Sequence, residues 1–214
     1  MDHAQVQSQN VFDLLVVGAG PAGLMAAEQA ARAGMRVAIA EAMPSPARKF
    51  LMAGKSGLNL TKAEDPEIFL QNFDAITALK PILSEFGPAE VTAFAQGLGQ
   101  EVFTGSTGRV FPTRMKASPL LRAWLARLDA LGIVLLRRHR WIGPLTTDAP
   151  YLLATPKGQV AVTAGALILA LGGASWARLG SDGAWQTPVA AAGVPIVPIQ
   201  ASNVGLQRAW SDHM

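Results

Sequence analysis

The sequence contains no cysteine and only three histidines, which limits the chemistry that its own side chains can carry. Without cysteine there is no disulfide, no thiolate metal site and no C-x-x-C pair, so a thioredoxin-reductase type of mechanism within the chain is excluded. The three histidines (His3, His139 and His213) are too scattered to suggest a metal cluster or a catalytic triad. The lack of disulfides suits a reducing compartment, and we expect a cytoplasmic protein.

Charged residues are also few, at 15% of the chain, whereas 50% of the residues are apolar. This composition supports a sizeable buried core and argues against a disordered protein. Two apolar stretches, 14–31 and 160–176, resemble membrane spans in hydropathy, but proline and glycine interrupt the first and three glycines interrupt the second. We therefore expect buried sheet and helix at both places, and no contact with a membrane.

The clearest motif runs from Phe12 to Glu41, where a strand, a glycine turn, a helix and a second strand follow one another. Gly18, Gly20 and Gly23 supply the G-x-G-x-x-G pattern: the first permits a tight turn, the second leaves room for a pyrophosphate, and the third lets helix and strand pack closely. Pro21 suits the first helical position, and Ala22 follows it, where free N–H groups and the helix dipole favour an anion. The motif predicts a dinucleotide site.

An acidic residue closes the second strand. Glu41 lies 23 residues after Gly18, the spacing at which a carboxylate accepts hydrogen bonds from an adenosine ribose. A carboxylate at this point favours an unphosphorylated ribose, hence FAD or NAD over NADP. The motif alone does not separate FAD from NAD.

The loop after the second strand adds two cationic candidates. Arg48 and Lys49 are placed to reach back to a pyrophosphate as charge-assisted donors, although either is equally well explained as surface charge. Gly54, Lys55 and Ser56 resemble the end of a P-loop, but lysine stands at position 49 where that motif needs glycine, and no strand precedes it. A nucleotide-hydrolase interpretation therefore fails.

Basic residues concentrate in the middle of the chain. Residues 101–140 hold eight basic and two acidic side chains, and the densest run is 137–140. A nucleic-acid site would interleave aromatic residues with such a run, and Trp141 is its single aromatic neighbour. We favour a solvated strand end or a patch that faces an anionic cofactor or substrate, and we expect no nucleic-acid partner.

The remaining pattern predicts an α/β domain. Ser118 is expected to cap a helix that begins at Pro119, carries a core-facing leucine stripe and ends at Gly132. The following strand, 133–136, is expected beside the first strand in a parallel sheet. The other expected helices are 66–73, 75–86, 88–97 and 184–192, and the other expected strands are 101–103, 109–111, 140–142, 151–155, 160–163 and 166–171.

A second glycine turn follows the last of these strands. A buried strand at 166–171 that ends in Gly172 and Gly173 is where an open α/β sheet approaches its ligand. Asp182 is a candidate for binding a ribityl hydroxyl, against the alternative of an ordinary turn aspartate.

Several of these stretches together resemble the YhiN/BaiN-like family of NAD(P)/FAD-dependent oxidoreductases. They are GAGPAGL with its closing glutamate, RKFLMAGKSGLNLT at 48–61, TGSTGRVFPTRMKASPLLRAWLARL at 104–128 and LILALGGASWARLGSDGAW at 167–185. Many members carry a G-G-R-C-N stretch where this chain has Gly57, Leu58 and Asn59, so Asn59 and Thr61 are the positions that match there.

The resemblance implies a Rossmann-like FAD-binding domain of the two-dinucleotide-fold, glutathione-reductase-like type, with a parallel sheet and a small antiparallel meander. It implies FAD as the cofactor, NAD(P)H as a candidate electron donor and a small-molecule substrate. It also implies that Ala170 and the second glycine turn lie against the FAD. The candidate cofactor-binding residues are Gly18, Gly20, Pro21, Ala22, Gly23, Glu41, Ala42, Arg48, Lys49, Asn59, Thr61, Trp141, Ala170, Gly172, Gly173 and Asp182.

The motifs and the resemblance leave three functions open and predict how the chain divides into domains. The chain is expected to be an FAD-dependent oxidoreductase, with a noncatalytic or incomplete dinucleotide-binding module and an NAD-dependent dehydrogenase as the alternatives. No catalytic residue is assigned, since the flavin itself carries the redox chemistry. We expect residues 1–10 to be a disordered lead-in, 11–193 to form the FAD-binding domain, and 194–214 to begin a truncated second domain.

Overall fold

A computed structural model describes residues 11–73, 76–146 and 150–200 of this chain. The expected lead-in at 1–10 and most of the expected start of a second domain lie outside these ranges. Within them, no helix is both long and apolar enough to cross a membrane.

A six-stranded sheet forms the centre of the fold. Its strands are β1 Val11–Val17, β2 Val37–Glu41, β6 Val134–Arg137, β7 Arg140–Trp141, β8 Tyr151–Thr155 and β9 Gly158–Leu169. They lie in the order β6-β2-β1-β9-β8-β7, in which the first four are parallel and β8 and β7 continue the sheet in antiparallel fashion. The expected Rossmann-like α/β class, with a parallel sheet and a small antiparallel meander, is confirmed.

A smaller three-stranded antiparallel sheet and a set of helices complete the described part of the chain. The small sheet has the order β3-β5-β4, with β3 at Thr61–Lys62, β4 at Val102–Thr104 and β5 at Arg109–Pro112. The helices are α1 Pro21–Arg32, α2 Arg48–Ala53, α3 Pro66–Leu70, α4 Ile76–Glu85, α5 Pro88–Gly97, α6 Ala117–Ala130 and α7 Gln186–Ala191, with a 3-10 turn at Ala177–Leu179. Most of these bounds lie close to those that the sequence predicts, but α2, β3 and the 3-10 turn were not predicted, and Arg48 and Lys49 lie in a helix instead of the expected loop.

The strand after α6 lies in a different position from the one that the sequence predicts. β6 pairs with β2 at the edge of the sheet, from Ala38 beside Val134 to Glu41 beside Arg137. The expected place beside β1 is wrong because β9 occupies it, with Val11–Val17 paired to Thr163–Leu169. The crossover rule gives the handedness of a connection but does not say which side of the sheet the next strand joins.

β9 is one long strand where the sequence suggests two. Its first residues pair antiparallel with β8, from Gly158 to Val162, and the rest pair parallel with β1. The expected strands 160–163 and 166–171 are therefore halves of one element that joins the meander to the parallel sheet. Gly165 weakens the apolar pattern between the halves without ending the strand.

Helix α6 begins earlier than the sequence predicts. Lys116 is the residue before its first turn, and its side chain makes no capping hydrogen bond. Ser118 lies inside the first turn, so its expected role as the cap is wrong. The apolar stripe is confirmed as a core face, since Leu120, Leu121, Trp124 and Leu128 are buried.

The two faces of the parallel sheet have separate apolar cores. On one face, side chains of alternate β1 and β2 residues, such as Val16 and Ile39, pack against α1 and α6. On the other face, Leu15 and Val17 pack with Trp141 and Leu153 of the meander. Because β1 and β2 bury both faces, their sequences are continuous apolar runs rather than alternating ones.

A buried charged cluster joins α1 to α6. Glu28, on α1, is 2% exposed, and its carboxylate accepts hydrogen bonds from Arg32, from the indole Nε1 of Trp124 at 2.7 Å and from Nη2 of Arg127 at 3.4 Å. Arg127 also lies over the ring of Phe94, with 5.0 Å between its Cζ and the ring centroid. A buried carboxylate with this many donors is satisfied, but removing it leaves cations and an indole N–H without a partner.

We predict that Glu28→Ala lowers the free energy of unfolding by about 2 kcal/mol, because three donors lose their acceptor in a buried contact. Urea denaturation measures this change. The matched control is Glu85→Ala on α4, where the side chain is exposed and the expected change is within about 0.5 kcal/mol. Equal effects of the two substitutions would contradict a stabilising role for the cluster.

Candidate cofactor site

The glycine turn between β1 and α1 is built from backbone contacts that leave no room for side chains. Gly18 has φ +105°, and a Cβ there would lie 2.3 Å from the carbonyl oxygen of Ala170, which follows β9. A Cβ on Gly23 would lie 1.9 Å from the carbonyl oxygen of Gly18. The turn, the helix and the end of β9 are therefore in direct contact, and both glycines are required by packing.

Gly20 differs from the other two glycines. A Cβ built on it meets no atom within 4 Å, and its backbone is extended, with φ −78° and ψ 177°. Any residue can adopt this backbone conformation without strain. The missing side chain at Gly20 thus leaves open space above the turn instead of permitting a contact within the protein.

The N-terminus of α1 points its backbone amides at this space. Gly20 is the residue before the helix, Pro21 opens it, and no side chain caps its first turn. Ala22 follows Pro21 and also lines the space. A 12-residue helix with uncapped amides at its start favours a bound anion through both hydrogen bonds and the helix dipole.

Glu41, at the end of β2, faces the glycine turn. Its Oε2 accepts from the backbone N–H of Ala19 at 3.0 Å, and its Oε1 accepts from the backbone N–H of Met43 at 2.8 Å. These bonds fix the carboxylate beside the turn, and each oxygen retains capacity to accept from a further donor such as a ribose hydroxyl.

Arg48 lies at the start of α2, directly beside the glycine turn. The preceding residue, Ala47, has φ +53° and donates its N–H to the carbonyl of Ala19 at 2.9 Å, which joins the two loops. The Nε of Arg48 is buried and has no hydrogen-bond partner within the described structure. The residue as a whole is partly exposed and lines the cavity described below, so its guanidinium can donate to an anion there.

The ammonium group of Lys49 is directed to a different place. It donates to the hydroxyls of Ser175 at 2.9 Å and Ser181 at 3.3 Å. Ser181, which is 5% exposed, donates in turn to the carbonyl of Gly173 at 2.7 Å. Lys49 therefore links α2 to the segment that follows β9.

That segment, residues 172–185, covers one side of the site. Gly172 has φ +70°, and its carbonyl accepts from the indole Nε1 of Trp185 at 3.0 Å. Asp182 accepts from the N–H of Ala184 at 3.1 Å and from Arg140 at 3.1 Å. The backbone hydrogen bond from Ala184, assisted by the charge of Arg140, holds the pKa of Asp182 below its usual range.

These elements surround a cavity of about 860 Å³ at the carboxyl ends of β1, β2 and β9. Ligand cavities in proteins span about 300–1,000 Å³. Twelve of the candidate residues line it: Gly18, Gly20, Pro21, Ala22, Glu41, Ala42, Arg48, Lys49, Trp141, Ala170, Gly172 and Asp182.

Four candidates lie away from the cavity wall. Gly23 packs inside the glycine turn. Gly173 contacts a residue of the cavity wall, because its carbonyl accepts a hydrogen bond from the hydroxyl of Ser181. Asn59 comes just before β3 and Thr61 lies in β3, where it pairs with Val110 of β5. The structure therefore does not bring Asn59 and Thr61 into this cavity.

Other residues of the cavity were not predicted from the sequence. Ser181, Trp185 and Pro188 line it, and so do His139 and Arg140 from the basic run. Two residues of the basic run at 137–140 therefore contribute to the cavity wall, whereas Arg137 lines a separate groove. His139 donates from Nδ1 to the carbonyl of Arg137 at 2.7 Å. Among the described residues, no cluster of His, Asp and Glu could hold a metal ion.

A family model for the HI0933-like protein Rossmann domain matches residues 12–214. The chain belongs to this family. The resemblance drawn from the sequence motifs is thereby confirmed, and the match begins at the strand that opens the glycine turn. The HI0933-like chain thus has the family's Rossmann domain over nearly its whole length.

Solved structures share the fold of this HI0933-like chain. THI4 from Thermovibrio ammonificans matches with a TM-score of 0.56 and 16% identity, over 90% of this chain and 67% of its own. A flavocytochrome c3 fumarate reductase matches with a TM-score of 0.62 and 20% identity, over 81% of this chain and 36% of its own. The quinol fumarate reductase FrdA of E. coli matches with a TM-score of 0.61 and 19% identity, over 77% of this chain and 33% of its own. The chain spans about two thirds of the first protein and about a third of the two reductases.

We predict that Gly23→Ala lowers stability and that Gly20→Ala does not. A methyl group on Gly23 collides with the carbonyl of Gly18, so we expect a loss of at least about 2 kcal/mol in the free energy of unfolding. A methyl group on Gly20 enters open space with an allowed backbone, so stability should be unchanged or slightly raised. Chemical denaturation of both variants checks this, and a marked loss in Gly20→Ala would contradict the geometry of the turn.

Proposed function

We propose that this chain binds FAD and serves as the FAD-binding part of an oxidoreductase that uses the flavin for hydride or electron transfer. NAD(P)H is the proposed electron donor and a small molecule the substrate, and the proposal includes neither a nucleic-acid nor a membrane partner. The observation that carries the proposal is the open space above Gly20, in a cavity that the uncapped start of α1 and Arg48 both line. A cytoplasmic location belongs to the proposal and suits a chain without cysteine.

The residues present fit the diphosphate of a dinucleotide. Two backbone amides and a guanidinium would approach it from different sides, and the bare Cα of Gly20 allows its oxygens close to the chain. Arg48 lines this space with its side chain partly exposed, so its guanidinium is available to donate to an anion there. We therefore place the pyrophosphate between Gly20 and Arg48.

The carboxylate of Glu41 fits the adenosine ribose. It stands at the end of β2, where the two backbone bonds to its oxygens fix its direction and leave lone pairs free. A negative charge there disfavours a phosphate on the ribose, which favours FAD or NAD over NADP as the resident group. Family membership and the second glycine segment beside the cavity favour FAD over NAD.

The redox chemistry would come from FAD, whose isoalloxazine ring accepts and donates hydride when bound. The chain's own residues bind and orient: Arg48 and α1 hold the diphosphate, and Glu41 holds the ribose. Lys49, through Ser175 and Ser181, keeps the 172–185 segment against the site. We assign no acid or base, and His139 is occupied with the carbonyl of Arg137.

We predict that Arg48→Met lowers the affinity for FAD by roughly tenfold or more, because a charge-assisted hydrogen bond to the pyrophosphate is lost. Titration of the purified chain with FAD, followed by flavin fluorescence, measures the affinity. The matched control is Arg122→Met, an exposed arginine of α6 that does not line the cavity, and its affinity should equal that of the unsubstituted chain. An Arg48→Met protein that binds FAD as tightly as the control would contradict the assignment.

Reduction by a nicotinamide separates an enzyme from a binding module. The FAD-loaded chain is mixed with NADH or NADPH and an artificial electron acceptor, and loss of nicotinamide absorbance is followed. Turnover that requires bound FAD is the expected result for an oxidoreductase. Tight FAD binding without turnover would favour a noncatalytic dinucleotide-binding module instead.

A further inference from the structure

A loop at the edge of the cavity lies outside both apolar cores. Residues 174–182, which we call the rim loop, contribute no side chain to either core of the described structure, and residues 174–178 are exposed. The last four residues of the rim loop line the cavity: Leu179, Gly180, Ser181 and Asp182. Because core packing does not fix this part of the cavity wall, its position depends on other contacts.

The rim loop is closed on itself. Its two ends are close together, because the hydroxyl of Ser181 donates to the carbonyl of Gly173 at 2.7 Å. Its backbone hydrogen bonds stay inside it, and within the described ranges none joins it to another element. Gly180 lies against the side chain of Met43, which is flexible and adapts to a shift of the loop. A compact loop of this kind is able to move outward as a unit.

Two cationic side chains from different elements hold the rim loop against the cavity. Lys49, on α2, donates to the hydroxyls of Ser175 at 2.9 Å and Ser181 at 3.3 Å. Arg140, on β7, donates to Asp182 at 3.1 Å, and the side chains of this pair are 45% and 34% exposed. Exposed contacts of this kind are individually weak, so they break and re-form while the fold stays intact.

We propose that the rim loop is a gate for the cavity, which Lys49 and Arg140 hold closed and which opens when their contacts to the loop break. Because residues 179–182 form part of the cavity wall, an outward shift of the loop widens the entrance for a ligand. Both cations also line the cavity, so an anionic ligand that enters meets the same groups that hold the gate. The identity of that ligand as FAD rests on the proposed function, whereas the gate is a property of the empty chain.

The first experiment needs no ligand and uses the absence of cysteine from the chain. Ser181→Cys places a single thiol at a position that is 5% exposed, where iodoacetamide reaches it when the rim loop opens. We expect Arg140→Met, added to Ser181→Cys, to speed labelling about twofold to fivefold, the effect of losing one exposed ion pair. Removing a nearby cation by itself disfavours the reactive thiolate and slows labelling, so a faster reaction reports opening.

The chain offers a matched control for this substitution. Arg36 and Asp13 form another exposed pair at 2.9 Å, near the opposite end of β1 from the cavity. Arg36→Met, added to Ser181→Cys, should leave the labelling rate unchanged. Ser84→Cys, exposed on α4, gives the rate of an open thiol. Equal rates with Arg140→Met and Arg36→Met, or a Ser181→Cys protein that reacts as fast as Ser84→Cys, would overturn the inference.

The kinetics of FAD binding separate a gate from a direct contact. Asp182→Asn weakens the contact of the rim loop to Arg140, and a gate that opens more often admits and releases ligand faster. Stopped-flow fluorescence should therefore show that the association and dissociation rate constants both rise, by about twofold to fivefold, with the Kd nearly unchanged. Asp13→Asn, which weakens the pair with Arg36, should change neither rate constant.

The other outcomes of this measurement have different signatures. Loss of a direct contact to FAD raises the dissociation rate constant alone, and loss of a charge that repels FAD raises association while it slows dissociation. Either result with Asp182→Asn would overturn the gate. If FAD does not bind the unsubstituted chain, the proposed function fails, whereas the labelling rates still decide whether the rim loop opens.

Discussion

The rest of this structure depends on a backbone contact in which β1, α1 and β9 meet without side chains between them. A Cβ on Gly18 would lie 2.3 Å from the carbonyl of Ala170, and a Cβ on Gly23 would lie 1.9 Å from the carbonyl of Gly18. Because of this close approach, the start of α1 is fixed directly above the carboxyl ends of the parallel strands. The amides of the helix, the carboxylate of Glu41 and the end of β9 then face one cavity.

The same contact brings polar side chains from distant segments to one cavity. Glu41 ends β2, Arg48 and Lys49 begin α2, and Arg140 of the meander pairs with Asp182 of the segment that follows β9. The cavity thus presents charged groups at separate places, which suits an elongated ligand with more than one polar group.

The sequence predicts the elements whose signal is local and fails where distant segments decide the outcome. The β1-α1-β2 unit follows from its glycines, its apolar runs and Glu41, and the core face of α6 follows from leucine spacing. The position of β6 depends on β9 having taken the place beside β1, which no local pattern records. Likewise, Ser181 is held at the site by Lys49, which lies 132 residues away in sequence.

The cavity above the glycine turn is proposed to hold FAD. The most direct measurement is the mass and absorption spectrum of the compound released when the purified chain, saturated with a mixture of FAD, FMN and NAD and then desalted, is denatured. We expect release of FAD in about equimolar amount to the chain, and none after Gly20→Ala, in which a methyl group enters the space assigned to the pyrophosphate. Release of NAD in place of FAD, or an undiminished yield of FAD from the Gly20→Ala protein, would contradict it.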